Sequence, residues 1–478
     1  MIMHFINVLE DSAMVKTKSL TEGPIFSRLF FFTLPLIATG LLQVFYSMAD
    51  SIIVGSFSGD ELALAATGST AALTALIVNL LLGFATGGGV VIAQHFGAKD
   101  HENLERTVHT ASALAIIGGI LFSTIAFIFA ESFLILMGTQ EVLLSRATLY
   151  FRIIALGIPA STVFNFGAAL LRSVGNSKIQ LYILSETGVV NVLLNLVFVI
   201  CFGMTVDGVA LATIIAQYIS AIAVVIVLLK WKDDSARLKP KKIKIHGSTV
   251  IRILKIALPT CLQSTLFSIS NVLIQTAANC LPTLALSAKT IAGNIDNFVY
   301  TAINAFSNST MPFVAQNYGA KRFDRIKKII VISAVQIVMV GVVIGQSLLI
   351  FGADIAALFI DSADPNKAQI IEYSLEIMRI LLNIYFLCGI MDMLSASLRG
   401  LGNSIVPMII GIVGICGIRL VWIFFFFPME PLHNLTGLYM SYPITWVFCI
   451  TALVIALTVT WKKSVKPLMS KENENANI

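Results

Sequence analysis

Asp50 is a carboxylate about 22 residues into an apolar stretch, and Gln43, Tyr46 and Asp50 recur at i, i+3 and i+7, one face of a helix. Inside a bilayer such a group costs about 2.5–3.5 kcal/mol on insertion scales, so it faces a cavity or a partner. A carboxyl taken out of water is a natural place for a proton or a cation. Asn191 and Asn195, at i and i+4, and Thr213 and Gln217, at the same spacing, offer the oxygen ligands that a hard cation takes. Asp50, Asn191, Asn195 and Thr213 therefore form a candidate cation or proton site, with Gln43 and Tyr46 lining the same face. Two plainer readings stay open. Asp50 could sit at the outer end of its span, solvated with Ser56, Ser58 and Asp60, and the asparagines could be hydrogen-bonding glue between helices.

The second half of the chain is more polar. Gln263, Asn271, Gln275 and Asn279 follow one another at multiples of four, and Asp296, Tyr300 and Asn304 at i, i+4 and i+8. Asp392 and Arg419 complete the set, and with Gln43, Tyr46, Asn165, Gln263, Asn271, Asp296 and Tyr300 they are the expected lining of a substrate cavity. Two carboxylates and one guanidinium leave a net negative charge, so Arg419 is expected to pair with one Asp and leave the other for a cation or substrate. A purely structural Asp–Arg pair is the alternative, although buried pairs stabilise little. The six cysteines and six histidines show no ligand spacing, which leaves a metal site and a resident cofactor without donors.

The elements that must hold these residues follow from composition. The 478 residues are 57% hydrophobic and 12% charged, about half the charge of a soluble domain. The apolar runs are too long for the alternating strands of a membrane barrel, and too little polar sequence remains for a soluble enzyme on an anchor. Twelve spans are predicted, at 28–54, 63–93, 107–130, 147–171, 178–203, 207–230, 252–280, 284–315, 326–352, 370–399, 404–428 and 434–461. Of the 32 lysines and arginines, 26 fall on one side of this topology, so both termini are expected in the cytoplasm. The same bias explains the net charge of +6 without nucleic acid. The implied divisions are a cytoplasmic segment 1–23, a six-helix lobe 24–230, a basic linker 231–251, a second six-helix lobe 252–463 and a tail 464–478. No cleavable leader is visible, and Met14 offers an alternative start.

The halves repeat. Ala93-Gln94-His95-Phe96-Gly97-Ala98-Lys99 matches Ala315-Gln316-Asn317-Tyr318-Gly319-Ala320-Lys321, and Leu171-Arg172-Ser173-Val174-Gly175-Asn176-Ser177 matches Leu398-Arg399-Gly400-Leu401-Gly402-Asn403-Ser404. Leu34-Pro35 matches Leu258-Pro259, and Asn165 falls in register with Asp392. Each unit has an even number of spans, so both insert the same way round. The expectation is an all-α integral membrane protein of 12 helices in two pseudo-symmetric six-helix lobes around a central cleft. The four glycines of the paired turns suit helix ends, and Arg172 and Arg399 suit terminal carbonyls or lipid phosphates.

These paired motifs, the Pro35…Asp50 first span, Leu258-Pro259…Leu262-Gln263-Ser264 and Asn294-Ile295-Asp296-Asn297-Phe298-Val299-Tyr300 resemble the multidrug and toxic compound extrusion family, closest to its bacterial members. The resemblance covers about 24–463. It implies an antiporter of the bacterial inner membrane that exports small amphipathic organic cations in exchange for Na⁺ or H⁺, works as a monomer in lipid and is no enzyme. It also implies a bend at Pro35; a static kink or a first-turn proline are the plain readings of that residue. The family's fifth-span pattern is Asn-x-x-x-Asp. Here it reads Asn191-x-x-x-Asn195, which leaves Asp50 as the main ionisable group of that site. A flippase for lipid or lipid-linked precursors is the alternative function; a channel and a membrane-embedded enzyme fit less well.

Overall fold

The computed structural model describes residues 19–57, 59–60, 62–360 and 364–470. Met14, Ser58 and most of the two terminal segments lie outside the described residues. Those described are nearly all helical, with no strand among them. The helices are α1 (Ile25–Phe57), α2 (Ala63–Gly97), α3 (His101–Ile128), α4 (Glu141–Ser173), α5 (Lys178–Cys201), α6 (Val206–Leu229), α7 (Gly247–Ala278), α8 (Thr283–Gly319), α9 (Phe323–Ile350), α10 (Lys367–Leu382), α11 (Tyr385–Gly400), α12 (Ile405–Phe426) and α13 (Leu435–Ser470). Packing divides the chain into two compact units. One is built on Leu34–Cys261, the other on Thr21–Thr33 with Leu262 onward.

Ten of these helices are long and apolar enough to cross a membrane, and α10 with α11 makes one more span bent by 43°. The twelfth expected span is α8. It has 37 residues, ample for a crossing, but it carries Lys289, Asp296 and a run of amides and hydroxyls that dilute its hydropathy. The bend in the tenth span falls at Asn383–Ile384 and has no proline to announce it. Pro35 is buried inside α1, which runs unbroken through it; the Thr39 hydroxyl donates to the carbonyl of Pro35 at 2.7 Å.

The repeated motifs end helices in matched ways. After α2, Lys99 adopts φ 55° and Asp100 N–H returns to His95 O at 3.0 Å; after α8, Lys321 adopts φ 56° and Arg322 N–H returns to Asn317 O at 2.8 Å. Gly97 and Gly319 are thus the last helical residues, and a lysine takes the left-handed position. In the other pair the glycines do so themselves, with φ 93° at Gly175 and 88° at Gly402. Within the first unit, Gly87 lies against the backbone of Ile253 and Ala257, Gly88 against Phe166 and Ala111 and Gly89 against Ser173, so α7, α4 and α3 approach α2 where it has no side chains. Phe151, Ile158, Val206 and Val209 form a buried apolar core with Ile53 and Val54, one turn beyond Asp50 on α1.

The linker between α6 and α7 is docked on α3. Lys239 N–H donates to His109 Nε2 at 3.0 Å, and the Lys239 and Lys242 ammoniums each lie 2.9 Å from Glu105 Oε1. Outside the spans, Asp60 takes a 2.6 Å ion pair from Arg146. That hydrogen bond, with a second from Leu62 N–H, holds the Asp60 carboxyl below its usual range.

Candidate functional site

In the first unit, Asp50 is half-buried on α1 and accepts a hydrogen bond from Asn195 Nδ2 of α5 at 2.5 Å. Asn195 is fully buried, and its own Oδ1 has no donor. One turn back on α5, buried Asn191 lies 3.5 Å from Thr213 Oγ1 of α6, whose hydroxyl donates to Val209 O. A turn further along α6, Gln217 Oε1 is also buried without a partner. Asp50, Asn195, Asn191 and Thr213 thus lie along one face of α5. No ion pair reaches Asp50 among the described residues. The arrangement is a carboxylate, two amides and a hydroxyl rich in acceptor oxygen, beside a sealed apolar core. A buried acceptor without a donor costs about 1–3 kcal/mol, so Asn195 Oδ1 and Gln217 Oε1 mark places where a cation or water would lower the energy.

The other first-unit residues separate from this group. Tyr46 turns to α5, donating to Ser185 O at 3.2 Å with its ring packed on Gly188. Gln43 is exposed. Asn165 Nδ2 bonds back to Ser161 of its own helix. Glu186, a half-buried carboxylate on α5 within electrostatic reach of Tyr46, joins the lining although it is absent from the sequence-based set.

In the second unit the carboxylates are spread over two groups. Asp296 of α8 has Tyr385 of α11 within hydrogen-bonding reach, and its Oδ1 is buried without a donor. Asp392 of α11 accepts from Asn304 Nδ2 at 3.3 Å; Asn304 also reaches Tyr300 OH at 3.3 Å and accepts from Asn308 at 2.8 Å. Arg419 differs from the expectation: no ion pair joins it to Asp296 or Asp392 among the described residues. Its guanidinium stacks 4.2 Å over the ring of Tyr442 and sits 3.4 Å from Ser270 Oγ and 3.5 Å from Asn271 Oδ1. A flat, weakly hydrated cation gains from an aromatic face in an apolar setting. Turns of π type flank Arg419 at Ile412–Ile418 and Trp422–Phe426, insertions that cluster at functional sites.

Arg399 also turns out differently. It points to Gln263, 3.3 Å from Oε1, and acts on Asp392 at electrostatic range. Its repeat partner Arg172 bonds Gln180. With Arg399 turned inward, the second unit sets two arginines against two aspartates. Near Asp50 there is no such compensation. Further along, Lys289 of α8 bonds Gln275, which in turn bonds Asn279 at 3.1 Å. Tyr385, Tyr442 and Lys289 are the second-unit participants that spacing alone does not reveal, because each meets its partner on a different helix.

Comparison with known proteins gives a consistent assignment. The chain is 25% identical over 456 residues to "Probable multidrug resistance protein YoeA" of Bacillus subtilis, covering 94% of this chain and 96% of that one. It is 24% identical over 442 residues to "Multidrug export protein MepA" of Staphylococcus saprophyticus, covering 91% and 94%. Among solved structures it matches "Crystal structure of MATE in the bent conformation" with a TM-score of 0.84 at 19% identity, over 95% of this chain and 99% of that chain. An "Outward-facing conformation of a multidrug resistance MATE family transporter of the MOP superfamily" matches with a TM-score of 0.83 at 20% identity, over 95% and 99%. These two likenesses establish the fold, in which known members have 12 membrane helices in two lobes. The MatE family profile matches residues 35–197 and 259–425, one block in each half of the repeat. The chain belongs to the MatE family of multidrug and toxic compound extrusion proteins and is a multi-pass membrane transporter, not an enzyme.

Proposed function

We propose that this transporter is a secondary antiporter that expels amphipathic organic cations in exchange for Na⁺ or H⁺, with Asp50 as the carrier of the coupling ion. The observation that carries this reading is the half-buried Asp50 carboxylate, with no ion pair among the described residues and bonded to a fully buried Asn195 whose carbonyl oxygen lacks a donor among them. An ion arriving there neutralises the carboxylate. A sodium ion would also take up the amide oxygen, and Asn191 and Thr213 stand one turn away to extend the oxygen shell. Coupling then requires only that ion and substrate favour different arrangements of the protein. Asp296 and Asp392, with Tyr300, Gln263 and Asn271 beside them, attract the cationic substrate or a second ion; Arg399 and Arg419 moderate that charge. The basic bias supports an orientation in a bacterial inner membrane with both termini on the cytoplasmic side. No resident cofactor is required, and the protein works as a monomer surrounded by lipid.

The names of the relatives, a multidrug resistance protein and a multidrug export protein, support the class of cargo. The test is ethidium efflux from proteoliposomes under an imposed H⁺ or Na⁺ gradient, comparing wild type with Asp50→Asn. Gradient-driven efflux in wild type that disappears in the variant supports the proposal. Equal gradient-driven efflux in both removes Asp50 from coupling, and gradient-independent scrambling of a fluorescent lipid would favour the flippase.

A further inference from the structure

The N-terminus of α9 carries charge of the wrong sign for a bare helix. A helix N-terminus has unsatisfied N–H groups and a partial positive charge, so it favours an acidic or hydroxyl cap. The repeat-matched helix α3 obeys this: Asp100 caps it, accepting from Asn103 N–H at 3.2 Å. At the same position α9 has Arg322, with no side-chain cap, and where α3 has Asn103 it has Arg325. Lys321 and Lys328 add to the cluster, against Asp324 as the acid of that turn. The shared fold does not call for Arg322 and Arg325, because the matched positions of the first unit hold Asp100 and Asn103; Lys321 and Lys328 have basic counterparts there in Lys99 and Arg106.

The cations surround a cavity of about 390 Å³, closed on its apolar side by Ile25 and Met469. Two of the guanidiniums are held in place from behind. Arg322 Nη1 donates to Thr21 O at 2.8 Å, and Arg325 Nη2 donates to Glu22 O at 2.8 Å and Gly23 O at 2.7 Å. The turn that presents these carbonyls is fixed by Gly23 at φ +71°, where a Cβ would run into Arg28. Arg325 Nε is buried and has no acceptor. Each guanidinium has five N–H donors in a planar fork suited to phosphate oxygens. The two guanidiniums are thus held in place at the surface end of a membrane helix.

We infer that this cavity binds the phosphate group of an anionic phospholipid, with Arg322, Arg325 and Lys328 on the headgroup and Ile25 and Met469 against its apolar shoulder. The shared chemistry is a phosphate anion; the apolar wall selects a lipid over a soluble phosphate. This binding is independent of the transport cycle proposed above and stands or falls separately.

The test uses the full chain, delipidated in neutral detergent. Thermal stability and native mass spectrometry are followed as dioleoyl phosphatidylglycerol, dioleoyl phosphatidylcholine or sodium phosphate is added at equal ionic strength. Phosphatidylglycerol should raise the melting temperature and remain bound, while phosphatidylcholine should not. Lys328→Gln should weaken phosphatidylglycerol binding about 5-fold and Arg322→Asp about 25-fold, taking one charge step as about 5-fold near a membrane surface. Arg322→Asp also supplies the cap that Asp100 gives α3, so that variant should fold; Lys328 makes no hydrogen bond or ion pair among the described residues, so its removal leaves the fold intact. Sodium phosphate matching the lipid in stabilisation and displacing it would overturn the lipid assignment in favour of a soluble phosphate. Equal phosphatidylglycerol affinity in wild type and both variants would overturn the site.

Discussion

Replacing Asn195 by Ala tests how Asp50 is held. Asn195 is fully buried and gives Asp50 a hydrogen bond at 2.5 Å, the one this carboxylate receives among the described residues. A hydrogen bond to a charged acceptor contributes about 1.5–3 kcal/mol. Asn195→Ala withdraws that from the ionised carboxylate, and about 1.4 kcal/mol is a factor of ten, so the balance between empty and ion-occupied Asp50 moves by about 10- to 150-fold. The direction depends on the ion. A proton needs no amide ligand and is held more tightly; a sodium ion loses the Asn195 oxygen as well and is held more loosely. The assay is ethidium efflux from proteoliposomes at stepped proton or sodium concentrations. Half-maximal efflux should shift to lower proton concentration if H⁺ drives the cycle, or to higher sodium concentration if Na⁺ does. An unchanged half-maximal concentration for both ions, in a variant that still folds and binds ethidium, would refute the reasoning.

Asp60→Asn should lower thermal stability at neutral pH, and the gap from wild type should close in acid. The Arg146 pair holds the Asp60 carboxyl below its usual range, so its contribution is present above the unfolded-state value near 3.9 and is lost as pH falls through the lower folded value; melting curves between pH 3 and 7 check this. Gly188→Ala places a methyl into the ring of Tyr46 and should cost about 1–3 kcal/mol by overpacking; Tyr46→Ala in the same chain should recover most of the loss in a double-mutant cycle. Glu105→Gln removes the negative charge shared by Lys239 and Lys242. Partly exposed pairs of this kind contribute only about 0–1 kcal/mol, so the melting temperature should hardly move while trypsin cuts the linker after Lys242 sooner.

Span positions and the internal repeat are readable along the chain because both are one-dimensional signals: a run of apolar residues, and motifs returning at an offset of 222 to 227. Asp50, Asn191, Asn195 and Thr213 are readable for a related reason, since residues four apart share a helix face and a carboxylate in an apolar run stands out. The second unit is harder, because what matters there is which way a long side chain turns. Arg399 occupies a motif that reads as a surface turn, yet it reaches inward to Gln263. Arg419 reads as an ion-pair partner, yet it finds Tyr442, 23 residues further on. Nothing local in the sequence fixes either choice; packing of α11 on α7 and of α12 on α13 does. The bend at Asn383 and the uncapped start of α9 are legible only once the neighbouring helices are in place.

The central claim is that Asp50 carries the ion that substrate export consumes, and substrate-driven ion counterflow tests it most directly. Proteoliposomes loaded with ethidium and carrying a proton- or sodium-sensitive dye would be prepared with wild type and Asp50→Asn. Wild type should move one of the two ions against the ethidium flux, and Asp50→Asn should bind ethidium yet move neither. Ion counterflow through Asp50→Asn at the wild-type rate would contradict the account.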